Sequence, residues 1–147
     1  MTPPAPDSGG HELGVYHELC GYTLGLMDVA FTHQHVVDAW AVQRATAASK
    51  PIGVAFGLAG LYLHLERGYT GREVQLAHMR MGRARRAWPA FNLPANRGAI
   101  TALDVMAVPP GPGRSAAIDR WCGSVWEAVK VDCRPAVVAL LAEYNIT

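Results

Sequence analysis

The chain has 147 residues, half of them apolar and 17% charged, with a formal charge of +1. That excludes a disordered body, and it gives no general pull toward nucleic acid or an anionic membrane surface. Cys20, Cys122 and Cys133 form no C-x-x-C pair, so a zinc ribbon is excluded and a cytoplasmic protein with reduced thiols is expected.

Residues 1–10 hold three prolines and two glycines without a basic leader segment, and read as a flexible tail before a single helical domain over 11–147. A first helix is expected from about His11 to Leu26, where Leu13, Tyr16, Leu19, Leu24 and Met27 recur at helical spacing. Gly14, Gly21 and Gly25 weaken it unless a neighbouring helix comes close.

Asp28 reads as a cap or turn residue. The second helix begins at Val29, or at His33 with Thr32 as cap, and runs to about Ala47. Its first turns carry His33-Gln34-His35-Val36-Val37-Asp38, two imidazoles and a carboxylate within six residues. Ser49-Lys50-Pro51 is the clearest helix start, with Pro51 in the first turn. The third helix runs from Pro51 to Arg67 and stops at Gly68. Its apolar run, Ile52 to Leu63, is twelve residues against the roughly 20 a bilayer needs, so it reads as a central core helix. Gly53, Gly57 and Gly60 would let neighbours approach it.

Thr70-Gly71-Arg72-Glu73 is a capping box, opening a fourth helix to about Ala87. Arg80, Arg83, Arg85 and Arg86 gather at its far end, where cations suit the helix dipole. With Trp88 alone beside them there is little for base stacking, and no nucleic-acid partner is expected. A Pro/Gly/Asn loop follows, then a short helix capped by Thr101 and Asp104. Pro109 to Gly113 reads as a rigid linker. A helix from about Ser115 to Val131, a break at Arg134-Pro135 and a last short helix to Tyr144 complete the chain. The expected fold is an all-α bundle of four to five main helices, with a Pro/Gly-rich loop between the fourth and fifth.

Helix geometry sorts the polar residues. Positions two apart lie about 200° apart around a helix, so His33 and His35 cannot face one point if both are helical. His35 and Asp38 share a face, and so do Gln34 and Asp38. Glu66 and His78 on other helices can complete a divalent-metal site with His33, His35 and Asp38, and imidazole with carboxylate suits Zn, Fe, Mn or Ni. In that reading His35 and Asp38 are the catalytic pair, and Tyr62, Gln34 and Gln75 help to hold a cofactor or small polar substrate. The other reading makes the same groups structural. Asp38 then accepts a hydrogen bond in the core, Glu66 forms an ion pair, His78 packs as a core histidine, and the protein is a non-catalytic interaction module. A third reading is an enzyme that uses His and Asp without metal.

His11 and His64 are expected at the surface, and Cys20 beside His17 is a weak candidate for an activated thiol. No nucleotide-binding glycine motif is present. The apolar content and the glycine-rich helices are compatible with a homodimer.

Phe31 through Gln43, Lys50-Pro51-Ile52, Gly60 through Glu66, Gly71 through Gln75 with His78, and Trp88-Pro89 form one pattern. Tyr22-Thr23-Leu24, Thr101 with Asp104-Val105, and Ile118-Asp119 with Trp121 and Val125-Trp126-Glu127 extend it. In these stretches the chain resembles a family of small bacterial proteins classed only as a domain of unknown function. The resemblance implies a shared helical fold. It marks His33, Gln34, His35, Asp38, Tyr62, Glu66, Gln75 and His78 as positions of the family's polar pattern.

Overall fold

The structure is a computed structural model that describes residues 8–84 and 87–146. Six helices follow one another: α1 (Ser8–Gly25), α2 (His33–Gln43), α3 (Pro51–Arg67), α4 (Gly71–Ala84), α5 (Ala102–Ala107) and α6 (Pro112–Ala142). There is no strand among the described residues. The all-α expectation holds, with six helices in place of four or five. Most of the expected tail, including the first seven residues, lies outside the description, and Ser8 to Gly10 belong to α1.

Several boundaries follow directly from local chemistry. Thr70 N donates to Glu73 Oε1 at 3.0 Å and Glu73 N to Thr70 Oγ1 at 3.2 Å, the reciprocal bonds of a capping box. Thr101 N donates to Asp104 Oδ2 at 2.8 Å at the start of α5. Gly68 ends α3 at φ 73°, a conformation that suits glycine. Lys50, not Ser49, caps α3, because the Ser49 hydroxyl is engaged by the Thr46 N–H in the preceding turn.

Three expectations are corrected. The second helix stops at Gln43 rather than Ala47, and the guanidinium of Arg97 takes up the carbonyls of Val42, Gln43 and Ala45 just there. Pro112 and Gly113 lie inside α6 rather than in a linker. That helix then runs unbroken through Pro135. A proline within a helix leaves the carbonyl four residues earlier without its N–H partner, here Val131. Val131 is 81% exposed, so water can meet that carbonyl while Val129, Cys133 and Val137 bury on the other side.

The core gathers α2, α3 and α6, with α1 and α4 against α2 and α5 between α1 and α6. Trp121, Ile118, Leu58, Leu61 and Val36 are buried at its centre. Gln43 ties three segments together: its Nε2 donates to Ile100 O at 2.8 Å, and its Oε1 accepts from Trp121 Nε1 at 2.9 Å.

The glycines divide sharply. At Gly57 an added methyl would press on Val42 Cγ2 at 3.0 Å, and at Gly60 it would overlap the Asp38 carboxyl. Those glycines let α2 close on α3. Gly14, Gly21, Gly25 and Gly53 have nothing within 4 Å of an added methyl, so no helix packs against them.

Candidate functional site

The opening of α2 is built by the preceding turn. Asp28 Oδ2 accepts from Thr32 N at 3.0 Å and from Thr32 Oγ1 at 2.7 Å. Ala30 O accepts from Arg72 N at 2.9 Å, which ties this turn to the start of α4. Gly71 lies so close to the Phe31 carbonyl that a side chain there would collide with it. The helix therefore starts late, at His33, with Thr32 as its cap residue.

His35 points from α2 onto His64 of α3. Their ring centroids lie 3.5 Å apart and the planes are 18° from parallel. Both nitrogens of His64 meet oxygen acceptors: Nδ1 is 3.1 Å from Tyr69 O and Nε2 is 3.1 Å from Asp119 Oδ1. A neutral imidazole can donate from one nitrogen only, so both bonds form together when this ring carries both protons. His35 differs. It is 6% exposed, and neither of its ring nitrogens has a hydrogen-bond partner among the described residues. Burial, then the charge of His64, pull its pKa down to about 3, against a smaller opposing pull from Asp28. His35 is thus neutral at physiological pH, with one N–H donor and one acceptor.

These rings line a cavity of about 310 Å³ together with Thr32, Tyr69, Thr70, Ser115 and Asp119. A larger pocket of about 500 Å³ lies at the C-terminal end of α2. Its one charged lining residue, Arg97, is occupied by the carbonyls of the α2 terminus and of Pro94. The smaller pocket is the one with acid–base chemistry in its wall.

Of the eight polar residues singled out in the sequence, His35 alone lines it. His33 Nδ1 lies 2.9 Å from Thr23 Oγ1, which itself donates back to carbonyls of α1. Gln34 Nε2 donates to Asp38 Oδ1 at 3.0 Å. Asp38 is 2% exposed, and its Oδ2 is buried without a partner. Burial pushes the Asp38 carboxyl well above the usual carboxylate range, against the opposing hydrogen bond from Gln34.

Glu66 accepts from Trp126 Nε1 and from Arg134 Nε, each at 2.8 Å. Tyr62 lies beneath the Arg134 guanidinium, and Gln75 accepts from Arg72. His78 stacks on Phe56 and places Nε2 2.8 Å from the Phe56 carbonyl; burial lowers its pKa to about 4. Four of the five expected metal ligands thus go to separate hydrogen-bond partners, and His35 stacks on His64. No three His, Cys, Asp or Glu side chains among the described residues gather into a metal-sized group. The Cys20 thiol is pushed up by burial, away from thiolate, and His17 is exposed. Arg80 and Arg83 are exposed; Arg85 and Arg86 lie outside the described residues.

Sequence reasoning missed His64, expected at the surface, and did not single out Asp119. A signal existed, since both positions fall inside the stretches that carry the family pattern. Their 55-residue separation hid the pairing.

Fold and site together define a small all-α protein in which side chains of several helices meet in one polar pocket. The chain belongs to the Family of unknown function (DUF5946), which it matches over residues 13–130. No curated protein and no solved structure matches the chain. No helix of the described residues is long and apolar enough to cross a membrane.

Proposed function

We propose that this helical protein is an enzyme that binds a small polar molecule in the His35 pocket and assists a proton transfer on it. One observation carries the reading: His35 is nearly buried, yet neither ring nitrogen is hydrogen-bonded among the described residues. These nitrogens face the pocket rather than sealed core, so a ligand entering there can bond to them in place of water. With its pKa lowered to about 3, the neutral His35 imidazole is a weak base but can donate a hydrogen bond to a carbonyl or developing oxyanion. His35 takes that role. Asp119, 64% exposed and engaged through one oxygen only by His64, is the proton acceptor at the rim. His64 is held by Tyr69 and Asp119 and serves as the platform under His35.

Asp38, Glu66, His33 and His78 have a second reading, as structural groups. It is favoured by their partners: the Gly60 notch, Trp126 with Arg134, Thr23, and the Phe56 carbonyl. A divalent metal is the competing source of chemistry at His35.

The test is a screen of small neutral and anionic carbonyl compounds against isotope-labelled protein, following the imidazole signals of His35 and His64. At least one compound class should shift both rings, and the shift should vanish in His35→Ala. No response from any class, with His35→Ala altering stability alone, would remove the enzyme reading. Stoichiometric Zn, Fe, Mn or Ni in purified protein, lost in His35→Ala, would replace it with metal-assisted chemistry.

A further inference from the structure

The contacts between α2 and α3 form an antiparallel ladder. His35 meets His64, the Asp38 carboxyl meets Gly60, and Val42 with the Asp38 carbonyl meets Gly57. Each rung lies about one helical turn from the next. The middle rung is the unusual one. A carboxylic group fills the space where any residue but glycine would carry its Cβ. One of its oxygens accepts from Gln34, and the other is buried against α3 without a partner.

We propose that Asp38 is a positioning residue: its carboxylic group, seated in the Gly60 notch, fixes the spacing of α2 and α3 and so holds His35 against His64. This rests on the reading of His35 as the group that meets the ligand. The fit works through shape and proximity. Three residues separate Asp38 from His35 on one helix, and four separate Gly60 from His64 on the other. A carboxyl displaced from the notch would move both helices where the rings stack.

The surroundings favour the protonated acid. Gln34 donates to Oδ1, which leaves Oδ2 as the hydroxyl. The titratable groups that feel its charge are Tyr16 from α1 and Cys122 from α6, and each is pushed up in part by it. His35 precedes it on its own helix and is neutral, and α3 faces it with Gly60. No cation among the described residues bears on this carboxyl. Ionisation as pH rises therefore works against the fit.

The experiment follows the His35 and His64 imidazole signals across pH in the ligand-free full chain, for wild type, Asp38→Asn, Asp38→Ala and Gly60→Ala. Asparagine keeps the shape, so its His35 signals should match those of wild type wherever the Asp38 carboxyl is protonated. In Gly60→Ala and Asp38→Ala the ring-current shifts of the stacked pair should shrink. The His35 titration should also climb toward that of an ordinary histidine. Wild type should show a further change as the carboxyl ionises with rising pH, which Asp38→Asn lacks. Folded Asp38→Ala with unaltered His35 and His64 signals would overturn the proposal, even if Gly60→Ala fails to fold. Because no ligand is present, failure of the pocket reading in the compound screen is separately visible.

Discussion

The imidazole of His35 lies flat on that of His64, with centroids 3.5 Å apart, and the two rings have opposite hydrogen-bond fates. His64 is anchored at both nitrogens, to Tyr69 O and Asp119 Oδ1. His35 is anchored at neither among the described residues and opens toward the pocket. The two rings therefore have different roles. One is held in position, and the other lines the pocket wall.

That division gives a first prediction. Burial is the larger cause of the low His35 pKa and the charge of His64 the second. His64→Gln should raise the His35 pKa from about 3 yet leave it below the ordinary value. An imidazole titration by NMR reads this directly. An unmoved His35 would show that His64 carries no charge in the stack.

Asp38 should make stability fall as pH rises. Its folded pKa is raised above the ordinary 3.8, so the folded state keeps a proton that the unfolded chain releases. Stability is then fullest below about pH 4 and declines upward until the folded carboxyl ionises. Asp38→Asn has no such proton. Urea midpoints should show the variant gaining on wild type above pH 4, with a limiting slope of about 1.4 kcal/mol per pH unit. A pH-independent difference would contradict this.

Gly60→Ala should be strongly destabilising, by about 3 kcal/mol or more, because the added methyl overlaps a buried carboxyl between two packed helices. Asp38→Ala vacates that space. The double variant Asp38→Ala/Gly60→Ala should therefore be more stable than the sum of the single effects allows, with a coupling of about 1–3 kcal/mol. Additive chemical denaturation would mean that the two residues do not share the notch.

His35 and His78 contribute strongly to the acid limb, with pKa values lowered to about 3 and about 4 from an ordinary 6.5, beside smaller shifts in the same sense at His33, Asp28 and Glu66. The folded state refuses protons that the unfolded chain accepts, so this stability is complete above about pH 6.5 and is lost as pH falls. His78→Phe should make that dependence clearly shallower between pH 6 and 4. It is best measured in the Asp38→Asn background, since Asp38 acts in the opposite direction.

Gln43→Leu should cost about 1–3 kcal/mol through the groups it orphans, the buried Trp121 N–H and the Ile100 carbonyl. Thermal unfolding measures the loss, and near-ultraviolet circular dichroism should report a changed Trp121 environment.

Much of the fold was legible because its signals are local. Thr70 and Glu73 lie one turn apart and cap each other whatever surrounds them. Pro51 and Gly68 bound α3 through their own backbone preferences. Pro135 misled because a helix break depends on whether water reaches the freed carbonyl, which packing decides. Gly14, Gly21 and Gly25 misled for the same reason, since a glycine permits a close neighbour but does not supply one.

Of the candidate site, the sharing of one α2 face by His35 and Asp38 was legible, because it follows from their spacing, yet their environments diverge. Asp38 enters α3 at Gly60, while His35 opens on the pocket beside His64. Glu66 and His78, expected to join them, are taken by Trp126, Arg134 and the Phe56 carbonyl.

By itself the sequence determined the helical class, most helix starts, and which polar side chains share a helical turn, because those depend on contacts within a few residues. Tertiary structure decided that His64 pairs with Asp119 and stacks under His35, and that Asp38 is buried with one oxygen unpaired. Partners far apart in the chain are chosen by how helices pack, and that packing turns on the summed fit of the whole core.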